Sequence, residues 1–291
     1  MVNNTDLTIC LFPKALSIPS GFVTLGICIG NVFVIVSVYS IRSLRKPCYI
    51  ILASMALVDV LTGIFGFVAG LLFALHGRFF YFGDTVGWLL HKVMVSTIAL
   101  SLLHHLLLAG DRYFAIMYPY MYIIKVHNRS VMLTLIATWT IVILGLIVIL
   151  SPYYSKDVQN VLEYTFMILV STQMYAFHLR IYCKAKKTAG QVSSSTCQAV
   201  QNNRSDFKAA RITSIILGAF SICILPSLIH SIVIETQGEC GRCRLPFYVC
   251  SMLAYANSML NPIVYGISNK TFSDSYKKIF QKIFQKIIRL C

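Results

Sequence analysis

Residues 93–122 read VMVSTIALSLLHHLLLAGDRYFAIMYPYMY, and they decide the fold. From Val93 to Gly110 the run is almost wholly apolar, and it ends on the charged pair Asp111-Arg112 followed by Tyr113. A helix of about 20 apolar residues crosses the roughly 30 Å hydrocarbon core of a bilayer while satisfying its own backbone hydrogen bonds. Charges at the rim of such a helix are expensive, so Asp111 and Arg112 need a role beyond folding.

Outward from this run, the hydropathy pattern places seven spans at 17–41, 48–75, 85–116, 130–151, 160–186, 207–234 and 246–266. A chain of 291 residues that is 57% hydrophobic and only 12% charged, with a mean hydropathy of +0.73, is not an ordinary soluble domain. The expected fold is an all-α membrane protein. Short connectors make neighbouring helices antiparallel in one seven-transmembrane helix bundle that occupies 1–291 as a single domain. Residues 1–16 form an N-terminal segment, and 188–205 (TAGQVSSSTCQAVQNNRS) is a polar, mobile connector. In 270–291, Phe272, Tyr276, Phe280, Ile283, Phe284 and Ile287 recur at helical spacing opposite Lys277, Lys278, Lys282 and Lys286. This is a short amphipathic eighth helix on the inner membrane surface, with membrane lipids as its partner.

Most of the 25 lysines and arginines fall on the connectors after spans one, three and five, and on the tail. Lys14, Arg78, Lys92, Lys156, Arg242 and Arg244 lie on the other side. Positive residues stay cytoplasmic, so the N-terminus is extracellular, and span one serves as an uncleaved anchor. The formal charge of +15 follows one membrane edge, which suits anionic lipid and cytoplasmic partners and excludes nucleic acid. Asn3 in Asn3-Asn4-Thr5 is then a glycosylation acceptor, whereas the triplets at Asn128, Asn203 and Asn269 are silent. Cys240 and Cys243 in GECGRCR read as a local disulfide, with no second ligand pair for zinc. The pairing of Cys10, with Cys250 or with a loop cysteine, stays open.

Several polar residues sit within the spans. Asp59 is the one acid deep in the membrane, at an insertion cost of about 2.5–3.5 kcal/mol, so it needs a partner, a proton or an ion. Gly30-Asn31 fits either a close helix contact with one interhelical bond or a functional role. His104 and His105 point about 100° apart and read as hydrogen-bonding or packing residues rather than metal ligands. Trp139 is a large anchor of span four. Asp206 at the start of span six favours a helix N-terminus through the dipole, with a functional role the alternative. Pro226 and Pro262 kink spans six and seven, and Asn257, Ser258 and Asn261 beside Pro262 suggest local repair or a hydrated cluster.

Together these residues resemble the rhodopsin-like (class A) family of G-protein-coupled receptors over nearly the whole chain. Gly30-Asn31, Asp59, Asp111-Arg112-Tyr113, Trp139, Phe220/Cys223/Pro226 and Asn261-Pro262-Ile263-Val264-Tyr265 are similar to its helix-by-helix motifs, in order. The resemblance implies a plasma-membrane receptor, not an enzyme, with an extracellular ligand, a heterotrimeric G protein and arrestin as partners. It implies a switch of Asp111, Arg112, Tyr113, Asp206, Asn261, Pro262 and Tyr265, in which Asp111 and Asp206 hold Arg112. It implies an allosteric sodium ion at Asp59, Ser101, Asn257, Ser258 and Asn261, and no other cofactor.

Departures narrow the resemblance. Gly87 replaces the third-helix cysteine, and SPYYSKDVQN (151–160) has no partner for it. Val170 replaces the fifth-helix proline, His178 the tyrosine and Ile224 the sixth-helix tryptophan. This pattern looks most like the melanocortin, adenosine, cannabinoid and lysophospholipid group, with melanocortin receptors nearest. The ligand chemistry does not carry over: Ala69, Gly87 and His91 stand where melanocortin receptors have acids, and Met94 where amine receptors have an aspartate. The expected pocket is Met94, Val95, Ile98, Leu228, Ser231, Ser251 and Tyr255, suited to a lipid, a small neutral molecule or a peptide tip. A transporter or channel is the competing reading, since kinked helices and buried acids occur there too, but no internal repeat is visible.

Overall fold

The computed structural model describes residues 4–76, 85–151, 153–191, 222–226, 229, 232–233 and 244–289. Its helices are α1 (Asn4–Ser40), α2 (Pro47–His76), α3 (Thr85–Met117), α4 (Pro119–Lys125), α5 (Asn128–Leu150), α6 (Lys156–Gln191), α7 (Arg244–Ser268) and α8 (Lys270–Ile288), with a 3₁₀ turn at Arg42–Leu44. Residues 222–226 are also helical. Among the described residues, Ile18–Ser40, Pro47–Leu72, Thr85–Met117 and Asn128–Leu150 are long and apolar enough to cross a membrane.

Three boundaries differ from the sequence reading. The backbone of α1 is helical from Asn4, running through Pro13 and Lys14 ahead of the expected span. Helix α6 continues to Gln191, so the first four residues of the connector expected to be mobile at 188–205 are helical, and its remainder lies outside the described residues. Helix α4 was not expected. Pro119 opens it at a first-turn position, where its missing N–H costs nothing and its fixed φ suits a helix.

Small residues set the spacing of the first two helices. A Cβ on Gly63 would lie 2.7 Å from Cys28 Sγ, one on Gly66 3.1 Å from Thr24 Cγ2, and one on Gly70 3.2 Å from Ser20 Oγ. The glycine stripe of α2 therefore seats the four-residue repeat Ser20, Thr24, Cys28 of α1, as small residues do where lipid gives helices no hydrophobic reason to associate. Helix α3 lies at the centre, packing against α2, α4, α5 and α6. Its Leu102 and Ala109 join Met167, Val170, Met174, Ile224 and Ala254 in one core cluster. A second cluster joins Val34, Leu44, Met55, Leu108, Val131, Tyr265 and Phe272. The apolar side chains left outside, such as Ile141, Leu144 and Ile147 of α5, form the face a bilayer covers.

The first half of α8 is docked and the second half is not. Phe272 is buried, Ser275 Oγ donates to Ser37 Oγ of α1 at 2.7 Å, and Tyr276 OH donates to the Pro262 carbonyl at 3.3 Å. Beyond that point Phe280, Phe284 and Ile288 are exposed, as an amphipathic helix against lipid requires.

Filling the α1–α2 seam should cost more than filling open space. Gly63→Val, pressed against Cys28 and the Thr24 carbonyl, is expected to destabilise by about 1–3 kcal/mol. Gly21→Ala, with nothing within 4 Å of its Cβ, should be neutral or slightly stabilising. Thermal melts of the two purified variants in one detergent check this pair.

Candidate functional site

The interior polar site begins with the backbone defect at Pro262. Proline has no N–H, so the Ser258 carbonyl one turn earlier loses its helical partner. Asn31 Nδ2 of α1 supplies the missing donor at 3.0 Å, while also donating to Ile27 O of its own helix at 2.9 Å. Gly30 makes the approach feasible, since a Cβ there would lie 3.1 Å from Pro262 Cγ. The Gly30-Asn31 pair is thus both a close contact and the repair of another helix.

Asp59 of α2 is fully buried and is held from the same turn of α7. Ser258 Oγ donates to its Oδ1 at 2.7 Å, and Asn261 Nδ2 to its Oδ2 at 3.0 Å. Asn257 and Ser101 are buried but make no hydrogen bond to this carboxylate. Ser101 Oγ, Asn31 Oδ1 and Tyr265 OH are buried with no hydrogen-bond partner. Unpaired polar atoms in a membrane interior cost free energy unless an ion or water serves them. Two carboxylate oxygens with surrounding hydroxyl and amide oxygens are the hard donor set that a small cation takes, so the residues fit one.

A second polar chain links three helices. His104 Nδ1 lies 2.7 Å from Leu100 O and its Nε2 2.8 Å from Ser54 Oγ, which accepts from Trp139 Nε1 at 3.1 Å. With Nδ1–H donating to the carbonyl, Nε2 accepts from the Ser54 hydroxyl, and every group in the chain is used. His105 Nδ1 bonds Ser101 O at 2.9 Å. Both histidines are structural hydrogen-bonders, and Trp139 is more than an apolar anchor.

At the far end of α3, Arg112 donates to Asp111 Oδ2 through Nε at 2.9 Å and Nη2 at 2.5 Å. The other carboxylate oxygen accepts from Tyr122 OH of α4 at 2.8 Å. Tyr122 was not anticipated: it is one of four tyrosines between residues 113 and 122, and only the α4 turn shows which reaches Asp111. Tyr113 points elsewhere, packing on Phe177 at a ring distance of 5.0 Å and on Ile181. Tyr265 is buried in the core with Leu108 and Phe272 and does not bond Arg112. The structure therefore unites Asp111 and Arg112 but leaves Tyr113 and Tyr265 apart from them. Asp206, Asn3, Cys240 and Cys243 lie outside the described residues, and Cys250 is a free thiol.

Of the expected ligand pocket, the described residues Met94, Val95, Ile98 and Tyr255 fall in different surroundings. Met94 and Tyr255 meet each other, with Tyr255 OH 3.6 Å from Met94 Sδ, in a cluster with Ile27. Val95 instead lines a cavity of about 260 Å³ between α3, α5 and α6, and Ile98 packs on the α3–α6 core. Met94 and Val95 are helical neighbours about 100° apart, and here they face different surroundings. Leu228, Ser231 and the side chain of Ser251 lie outside the described residues. Two further intramembrane charges complete the picture: Lys92 of α3 and Glu163 of α6 form a buried ion pair at 3.0 Å. Asp59 is therefore not the only buried acid.

The described helices form a membrane bundle with a polar knot at Pro262 of α7 and a paired Asp111–Arg112 at the end of α3. A family model described as 7 transmembrane receptor (rhodopsin family) matches residues 30–161 and 152–265, and the chain belongs to that family. It is similar to "Octopamine receptor beta-1R" of Drosophila melanogaster, 27% identical over 89% of this chain and 60% of that protein. It is also similar to "Dopamine receptor 1" of Drosophila melanogaster, 28% identical over 86% and 59%, and to "Trace amine-associated receptor 13c" of Danio rerio, 27% identical over 82% and 77%. The chain spans about three fifths of the length of the first two relatives.

Tyr122 is the testable member of this site. Burial first, and the Asp111 carboxylate second, push its phenol above the ordinary 10.0. A group raised in the folded state contributes fully below its unfolded value and loses that contribution as pH climbs past it. The tie should therefore hold through neutral pH and weaken only on the alkaline side of 10. Tyr122→Phe is expected to cost about 1 kcal/mol in thermal melts and to remove that alkaline slope.

Proposed function

We propose that this chain is a plasma-membrane receptor that passes an extracellular chemical signal to a heterotrimeric G protein, with arrestin as a second cytoplasmic partner. The Asp111–Arg112 pair carries the reading. Arg112 is charged, sits beside the basic connectors and is about one quarter exposed, while its partner Asp111 is buried and held from the other side by Tyr122. A guanidinium kept by one carboxylate and reachable from outside is a group that a second conformation can release. Membership of the receptor family supports this over the transporter reading.

Asp206 is proposed as the second anchor of Arg112, and a sodium ion at Asp59, Ser101, Asn257, Ser258 and Asn261 as a stabiliser of the resting conformation. The unpartnered Ser101 hydroxyl supports the ion, because it is a buried oxygen donor with nothing else to serve. On its landmarks the chain is proposed to branch with the melanocortin-like group, through Gly87, Val170 and Ile224 in place of cysteine, proline and tryptophan. The amine-receptor names of the relatives give that branching no support. Buried Met94, bonded by Tyr255, in turn gives no support to an amine held from that position.

Nucleotide exchange on added G protein by purified receptor in nanodiscs tests the reading. Arg112→Ala is expected to abolish exchange and Asp206→Ala to raise its basal level; unchanged basal exchange in a well-folded Asp206→Ala protein removes that anchor. Sodium is expected to raise the melting temperature of the wild type and not of Asp59→Asn, and equal shifts in both would place the ion elsewhere.

A further inference from the structure

The Lys92–Glu163 pair is not used by the switch or by the Asp59 knot. It lies across the α3–α6 seam near the start of α3, at the opposite end from Asp111. Lys92 Nζ donates to Glu163 Oε1, Glu163 Oε2 and Asn160 Oδ1, each at 3.0 Å. An ammonium has three N–H donors, and here each has its own oxygen, so the cation is fully coordinated. Lys92 is 3% and Glu163 8% exposed. Burying such a pair roughly cancels its attraction against desolvation, so stability alone does not explain why it is there.

The neighbouring cavity supplies a reason. It measures about 260 Å³ and is walled by Val95, Leu146, Phe166 and Met167, bordering the lipid-facing surface at Ile141, with Glu163 the charged residue lining it among those described. An apolar chamber with one carboxylate at its edge is the recognition chemistry of an organic amine: ammonium on the acid, hydrocarbon in the chamber. The carboxylate is already engaged by the chain's own ammonium.

We propose that Lys92 is the built-in occupant of an ammonium-binding site formed by Glu163 and Asn160, and that it makes the adjoining cavity refuse primary amines. An incoming ammonium that displaced Lys92 from Glu163 would leave the lysine charge buried with the Asn160 oxygen alone. Opening a buried pair in this way weakens binding on the order of a hundredfold. Lys92 is thus a specificity-determining residue. It turns the cavity toward neutral ligands that leave the pair intact.

Lys92→Ala removes Cγ through Nζ, a piece the size of n-propylamine. The full-length variant, purified in detergent, is expected to melt below the wild type. Millimolar n-propylamine should restore it, and propan-1-ol should not. Phenethylamine, whose ring suits the apolar walls, should bind Lys92→Ala on the order of a hundredfold tighter than the wild type, and adding Glu163→Gln should abolish the gain. If Lys92→Ala misfolds, n-propylamine present through expression and solubilisation should recover monodisperse protein. Wild-type protein that binds phenethylamine as tightly as the variant overturns the proposal. So does a folded variant indifferent to both amines, or a misfolded one that n-propylamine fails to recover. None of these readouts involves a G protein, so they stand or fall apart from the signalling assay.

Discussion

The bundle depends on the carbonyl of Ser258. A membrane interior offers no water to an unpaired backbone group, yet Pro262 withdraws the donor that group would have had. One side chain from α1 answers, and this fixes how closely α1 and α7 approach, which residue stands before Asn31, and how α7 is turned toward Asp59. Once α7 has that rotation, Ser258 and Asn261 face the carboxylate of α2 together. The site is therefore the consequence of a helix break that three helices share.

Polar groups elsewhere follow the same constraint. The Trp139–Ser54–His104 chain spends every donor and acceptor it has and ties α5, α2 and α3 without a charge. Lys92 and Glu163 solve the harder problem of two charges by sharing three N–H bonds among three oxygens. By contrast, Asn31 Oδ1 and Tyr265 OH, on residues that border the Asp59 knot, are buried without partners.

Much of this was legible in the sequence. Span positions follow from hydropathy, and an acid in an apolar run must be met, but that Ser258 and Asn261 meet Asp59 was implied only by the family resemblance. The rest was hidden for particular reasons. Asn31 was visible, but its target was a carbonyl, and backbone acceptors have no letter of their own. Lys92 and Glu163 stand near span ends, where single charges usually reach water, and their pairing depends on the rotation of two helices. Met94 packs with Tyr255 and Val95 borders the α3–α5–α6 cavity, a difference that depends on helix rotation, which no single letter records. Tyr122 required α4, a seven-residue helix too short to show a period.

The link from Tyr276 to the Pro262 carbonyl has a mechanical side. It welds the first turns of α8 to the hinge residue itself, so the last turns of α7 and the whole of α8 move as one piece. Nineteen residues of helix make a lever arm of about 28 Å. A rotation of about 10° at the proline then sweeps the far end of α8 by roughly 5 Å over that length. A rotation of this kind would carry the exposed Phe280, Phe284 and Ile288 along the membrane surface. The Ser37–Ser275 bond to α1 is the brake on that motion.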